Sequence, residues 1–192
     1  MNEAAQHLGM TRTTFTNVNG FSDERQVTTA RDLAKLARAI IVEFPEHADL
    51  FSLVQVQVGK KTMRTHNSLL ISLPGADGMK TGFICESGFN VVASATRDRR
   101  KLLAVVLGEP SVASRNDRTT DLLESGFKRY FWKSLFGKNL DRLAIQAPLS
   151  NSPTHLRDSV CGIARAKSTV RRSVKFKAAG TRSPGSGAGE RR

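Results

Sequence analysis

At 192 residues, 39% hydrophobic and 24% charged, the chain is long enough for one domain with a real core. Its net charge of +13 is uneven: residues 151–192 carry ten Lys and Arg against Asp158 and Glu190, about +8, which leaves an ordinary +5 on residues 1–150. No apolar run approaches the roughly 20 residues of a membrane span, and no Cys/His spacing points to a metal.

Asn2 to Leu8 reads as the end of a helix stopped by Gly9. Residues 11–27 are polar, with Asn17, Asn19 and Gly20 as turn formers. Thr29-Ala30-Arg31-Asp32 resembles a capping box with Asp in place of Glu. The apolar stripe Leu33, Leu36, Ala37, Ile40, Ile41 and Phe44 then predicts a helix that Pro45 ends, with one further turn over 46–52. The alternation Leu53-Val54-Gln55-Val56-Gln57-Val58 before Gly59-Lys60 predicts a hairpin. Residues 64–78, with His66, Asn67, Pro74, Gly75 and Gly78, read as irregular. Met79–Phe83 is a short strand. Phe89–Ala95 and Leu102–Leu107 form a second hairpin, and Arg97, Arg99, Arg100 and Lys101 are read as its solvated turn. From Ser114 to about Leu135 a helix carries Leu122, Leu123, Phe127, Tyr130, Phe131 and Leu135 on its apolar side. Beyond Ala147-Pro148 the pattern fails. Residues 148–192 are expected to be a basic Ser/Gly/Arg-rich tail that buries too little apolar surface to offset its ordering entropy.

The chemistry concentrates in Gly75-Ala76-Asp77-Gly78-Met79-Lys80-Thr81-Gly82-Phe83. A cation, a hydroxyl and a residue without a side chain follow one another on a strand. Lys80 places positive charge where negative charge develops or an anion binds, Thr81 can donate to a carboxylate, and Gly82 lets a peptide backbone approach. Taken alone, Lys-Thr-Gly is better read as a surface turn after Gly78. Cys85 is read as a small buried residue near the site rather than a reactive thiol, and two cysteines, Cys85 and Cys161, are too few for a disulfide framework. His7, His47, His66 and His155 have no evident triad partner.

The flanking residues carry a resemblance. Asn2…Ala5…Leu8-Gly9-Met10-Thr11…Thr14-Phe15…Asn17…Asn19-Gly20, then Thr28-Thr29-Ala30-Arg31-Asp32-Leu33-Ala34, the Lys80-Thr81-Gly82 motif, Ser87–Ala95, Arg99…Leu103–Gly108 and Leu122-Leu123…Gly126-Phe127 run in order. This series resembles the serine-type D-alanyl-D-alanine carboxypeptidases, the low-molecular-mass penicillin-binding proteins, over roughly residues 2–135. The resemblance implies an α/β fold of the penicillin-binding, β-lactamase-like type, with an antiparallel sheet flanked by helices. Residues 1–147 would be the C-terminal, incomplete part of that catalytic domain. It also implies removal of the terminal D-alanine from peptidoglycan stem peptides through an acyl-enzyme, and binding of β-lactams by the full-length family. No cofactor is expected. By similarity Lys80, Thr81 and Gly82 are the catalytic and substrate-binding residues, and Arg115 matches an arginine that holds the terminal carboxylate.

The family uses Ser-x-x-Lys, then Ser-x-Asn, then Lys-Thr-Gly. No serine before Lys80 is followed three residues later by lysine. Ser125-Gly126-Phe127-Lys128 and Ser114-Arg115-Asn116 fit the two patterns but follow Lys80, in a predicted helix, and are read as coincidence. The nucleophile is therefore expected to be absent and the polypeptide alone inactive. The family resemblance implies a periplasmic or cell-envelope location, although Met1–His7 has neither the basic start nor the apolar stretch of a signal peptide. The alternative is a non-catalytic basic protein binding envelope polymers or nucleic acid through residues 151–192. Specific nucleic-acid recognition is not expected, because Phe176 is the tail's lone aromatic residue.

Overall fold

The computed structural model describes residues 1–136 and 152–162. Helix α1 (Asn2–His7) ends at Gly9, whose φ of +64° is open to glycine at little cost. Residues 10–29 are irregular apart from a bridge between Thr14 and Val27. Helix α2 (Ala30–Glu43) starts where the capping residues predict, with Thr29 Oγ1 accepting from Asp32 N at 3.2 Å. Such a cap contributes about 1 kcal/mol. The buried Asp32 carboxylate reaches outward and accepts from Arg12 N at 2.9 Å and Thr13 Oγ1 at 2.7 Å. Together with Lys35 Nζ on Gly9 O at 2.6 Å, it ties the irregular start of the chain to α2. Phe44, expected in the apolar stripe, instead caps the helix and stays 48% exposed.

A 3₁₀ turn (Pro45–His47) and helix α3 (Ala48–Ser52) follow, then the antiparallel ribbon β1 (Gln55–Val58) and β2 (Lys61–Arg64) across Gly59-Lys60. The stretch 64–78 is less irregular than its residues imply. It contains helix α4 (Leu69–Ser72), and Leu69 and Leu73 are core residues. Strand β3 (Ala76–Ile84) is longer than Met79–Phe83 and pairs with β4 (Gly88–Arg97), which pairs with β5 (Arg100–Glu109). Helix α5 (Val112–Phe136) closes the described domain.

The antiparallel three-stranded sheet has two differently covered faces. Val91, Ala93, Ala95, Ala104 and Val106 alternate on one face and form the core with Leu69, Leu73 and α5's Leu123. Burying a leucine of this kind contributes about 1.5–3 kcal/mol. The other face, with Val92 and Leu107, meets Leu33, Leu36 and Ile40 of α2 across an open apolar cavity of about 410 Å³.

Three expectations are corrected. Cys85 and Cys161 form a disulfide, because folding brings residues 76 positions apart to a Cα–Cα distance of 5.7 Å. The bond fixes part of the span read as an unstructured tail. Residues 152–162 end in a π-helical turn (Asp158–Gly162), and Leu156 N donates to Glu86 O at 2.8 Å. The rest of that span, 148–151 and 163–192, lies outside the described residues. Finally, the β4–β5 turn is not simply solvated. Arg97 binds Glu124 at 2.7 Å and lies over the Phe127 ring, Arg100 lies over Tyr130, and Lys101 binds Asp77 at 3.0 Å.

Candidate functional site

Lys80, Thr81 and Gly82 sit in the middle of β3, an edge strand of the sheet among the described residues. Their partners across the ladder are Val92, Val91 and Asn90. One edge of β3 is therefore satisfied by β4, and the other is available to an extended peptide. Lys80 and Gly82 are exposed, and both border the apolar cavity under α2. The Lys80 ammonium donates to Thr81 O and has no carboxylate within salt-bridge distance among the described residues. The Thr81 hydroxyl has no hydrogen-bond partner among the described residues, so an uncommitted donor stands beside a cation bound only to a backbone carbonyl.

The glycines of this segment separate fold from site. A Cβ on Gly75 would stand 2.5 Å from Thr96 O, and its φ is +80°. A Cβ on Gly78 would stand 2.7 Å from Ser94 Oγ. The fold requires both. A Cβ on Gly82 would meet nothing within 4 Å, and its φ is not positive. Nothing inside the described molecule requires glycine there.

The strand is pinned from beneath. Asp77 accepts from Ser94 Oγ and Thr96 Oγ1, both at 2.5 Å, and pairs with Lys101. Burial alone would raise the Asp77 carboxyl, but the hydrogen bonds from Ser94 and Thr96 and the Lys101 charge outweigh it and hold the group below its ordinary value.

Arg115, in the first turns of α5, is 2% exposed. Its guanidinium donates to Asn116 Oδ1 at 2.9 Å and reaches His66 O at 3.5 Å, with no carboxylate within salt-bridge distance among the described residues. Desolvation pulls its pKa down, as expected of a buried cation without an anion. No hydrogen bond joins Arg115 to Lys80 or Thr81 among the described residues; the loop of residues 66–68 bonds to Gly78 of β3 on one side and to Arg115 and Asn116 of α5 on the other.

The two out-of-order serine motifs have structural roles. Ser114 Oγ donates to Glu109 beside the start of α5. Gly126 packs under Leu102, on the core side of the sheet, so Ser125 and Lys128 belong to a helix away from the cavity that Lys80 borders. Sequence reading missed Asn67 as a site-associated residue. Its signal, an Asn between His66 and Ser68, looks like an ordinary turn former.

The D-alanyl-D-alanine carboxypeptidase family model matches residues 1–111. D-alanyl-D-alanine carboxypeptidase DacC of Escherichia coli K12 is 39% identical over 129 residues, covering 67% of this chain and 32% of its own length. DacA of Haemophilus influenzae is 35% identical over 132 residues, 68% of this chain and 34% of its own. Among solved structures, penicillin binding protein 5 from Haemophilus influenzae superposes with a TM-score of 0.64 at 35% identity, covering 66% of this chain and 38% of that one. Penicillin-Binding Protein D2 from Listeria monocytogenes, in its cefotaxime-bound form, gives 0.62 at 33% identity, with 66% and 53% covered. The chain spans about a third of the length of these curated relatives. Among the described residues no helix is long and apolar enough to cross a membrane.

Proposed function

We propose, from the premise that this chain belongs to the D-alanyl-D-alanine carboxypeptidase family, that residues 1–147 form the Lys-Thr-Gly wall of a cleft for the D-alanyl-D-alanine end of peptidoglycan stem peptides. The observation that carries this reading is Gly82. It is exposed on an edge strand and has no fold-level reason to lack a side chain, so its reason is an approaching backbone. The peptide adds to the free edge of β3. Thr81 donates its hydroxyl to the terminal carboxylate. Arg115 supplies the charge that this carboxylate needs, and its lack of an anionic partner among the described residues supports that role. Lys80 stabilises negative charge developing at the reacting centre.

The acyl-accepting serine has to come from outside residues 1–192, because no serine ahead of Lys80 has a lysine three residues on. The apolar cavity beside Lys80 and Gly82 is where a segment carrying it has room to lie. The chain alone binds but does not hydrolyse. A Cys85–Cys161 disulfide persists in an oxidising compartment, which supports an envelope location.

Two measurements test this. Fluorescent penicillin incubated with the purified chain is expected to leave it unlabelled. Covalent label would overturn the external nucleophile, and label lost in Ser125→Ala would move the nucleophile to α5. Titration with an N-acylated peptide ending in D-alanyl-D-alanine is expected to give saturable binding, weakened by Thr81→Val and by Arg115→Met. Binding indifferent to both substitutions would remove the assignment.

A further inference from the structure

Asn67 is buried, at 2% exposure, yet its side chain spans eleven residues of sequence to donate from Nδ2 to Gly78 O at 3.2 Å. That carbonyl lies two residues before Lys80. It also sits where the β3–β4 register breaks, between Ala76 and Gly78, so the ladder is interrupted just where the site strand begins. The residues on either side of Asn67 are held from α5. Arg115 Nη2 reaches His66 O, and Asn116 Nδ2 donates to Ser68 Oγ at 2.7 Å. One three-residue loop therefore touches the strand bearing Lys80–Gly82 on one side and the Arg115 guanidinium on the other.

The other half of the Asn67 amide argues that stability is not its main task. Oδ1 is buried without a partner among the described residues. An unsatisfied buried acceptor costs about 1–3 kcal/mol, comparable to what the single Nδ2 bond returns. The residue stabilises the fold little on balance. What its amide does set is the position of the Gly78 carbonyl, from which the strand runs on to Lys80–Gly82.

We infer that Asn67 is a positioning residue: through the 66–68 loop it fixes the distance between the Lys80–Gly82 strand and the Arg115 guanidinium. Both ends of a short substrate, the backbone laid along β3 and the carboxylate at Arg115, are then set by one side chain. This rests on the carboxylate-binding reading of the preceding section. A misplacement of about an ångström is enough to cost up to a hundredfold in a site of this kind.

The test uses the full 192-residue chain and two readouts: backbone amide chemical shifts without ligand, and affinity for the N-acylated D-alanyl-D-alanine peptide. Asn67→Ala removes the tie, and Asn67→Asp keeps the size but removes the donor. Both are expected to move the Thr81 and Gly82 amide signals and to weaken peptide binding by about tenfold or more. Asn116→Ala, which loosens the loop without touching β3, moves the same signals less and serves if the Asn67 variants do not fold. Leu123→Ala is the stability control, expected to lower the melting temperature while leaving the Thr81 and Gly82 shifts and the affinity unchanged. Thr81 and Gly82 signals unmoved in Asn67→Asp or Asn116→Ala would overturn the inference. A native chain that binds no peptide would sink the functional reading instead, and the amide shifts alone would then decide on Asn67.

Discussion

The difference between Gly75 and Gly82 makes the candidate site testable at the level of one methyl group. Gly75→Ala places a Cβ against Thr96 O in a left-handed backbone, and such strain costs about 1–3 kcal/mol. Gly82→Ala adds a methyl to open space on a strand, where alanine is no worse than glycine. Urea unfolding should therefore shift clearly for Gly75→Ala and stay within about 0.5 kcal/mol of native for Gly82→Ala. Peptide binding should reverse the order, with Gly82→Ala the more damaged. Equal destabilisation by the two substitutions would return Gly82 to the fold and remove the observation on which the function rests. Lys80, Thr81 and Gly82 were legible from sequence because their chemistry is carried by three consecutive residues on one strand. Asn67 was not, since its partner Gly78 is found only by folding the intervening helix.

Among the elements, those with their own period were legible: α2 through its stripe and Thr29 cap, β1–β2 through alternation around Gly59, and β4–β5 through two β-branched runs. Helix α4 was hidden because four residues are too few to show a period and Asn67, Pro74 and Gly75 frame them as a loop. The docked segment 152–162 was hidden because its attachment is not local. Leu156 and Arg157 meet Glu86, and Cys161 meets Cys85, all across some 70 residues of sequence. Its stability depends on that covalent tie, since little of it is buried. Reducing the disulfide with a dithiol, or replacing both cysteines by serine, is expected to raise hydrogen exchange at the Leu156 and Val160 amides. Amides of the β3–β4 ladder should lose protection only as far as global stability falls, so that Leu156 and Val160 exchange ahead of them. In the chain-entropy model the whole domain also loses about 4 kcal/mol of loop-closure stabilisation. Unchanged exchange at Leu156 after reduction would show that the Glu86 contacts suffice without the bond.

At the scale of the molecule, separate elements are fastened by carboxylates that must stay ionised. Asp77 on β3 holds Lys101 of β5, Glu124 on α5 holds Arg97 of β4, and Glu86 after β3 holds Arg157 of the docked segment. All three titrate below their ordinary values. Hydrogen bonding by Arg97 lowers Glu124, and hydrogen bonds from its own backbone N–H and then from the Arg157 side chain lower Glu86. A group depressed in the folded state binds fewer protons there than in the unfolded chain, so stability rises with pH across the window between the two values. The contributions are complete above the ordinary values of 4.5 for the glutamates and 3.8 for Asp77, and disappear as pH falls through the lower folded-state values. Because the chain as a whole carries a net charge of +13, protonating these groups also adds to its self-repulsion by leaving Arg97, Lys101 and Arg157 unneutralised. The melting temperature should therefore hold steady from neutral pH to about 5 and then fall steeply towards about 3. Glu124 and Glu86 are exposed enough to be screened, so molar salt should flatten their share of the change and leave more of Asp77's. In Asp77→Asn the native chain is weaker at neutral pH, and the acid-dependent loss is correspondingly smaller. A melting profile flat below pH 4.5, or an Asp77→Asn profile parallel to the native one, would mean that these ties do not fasten the sheet to its neighbours.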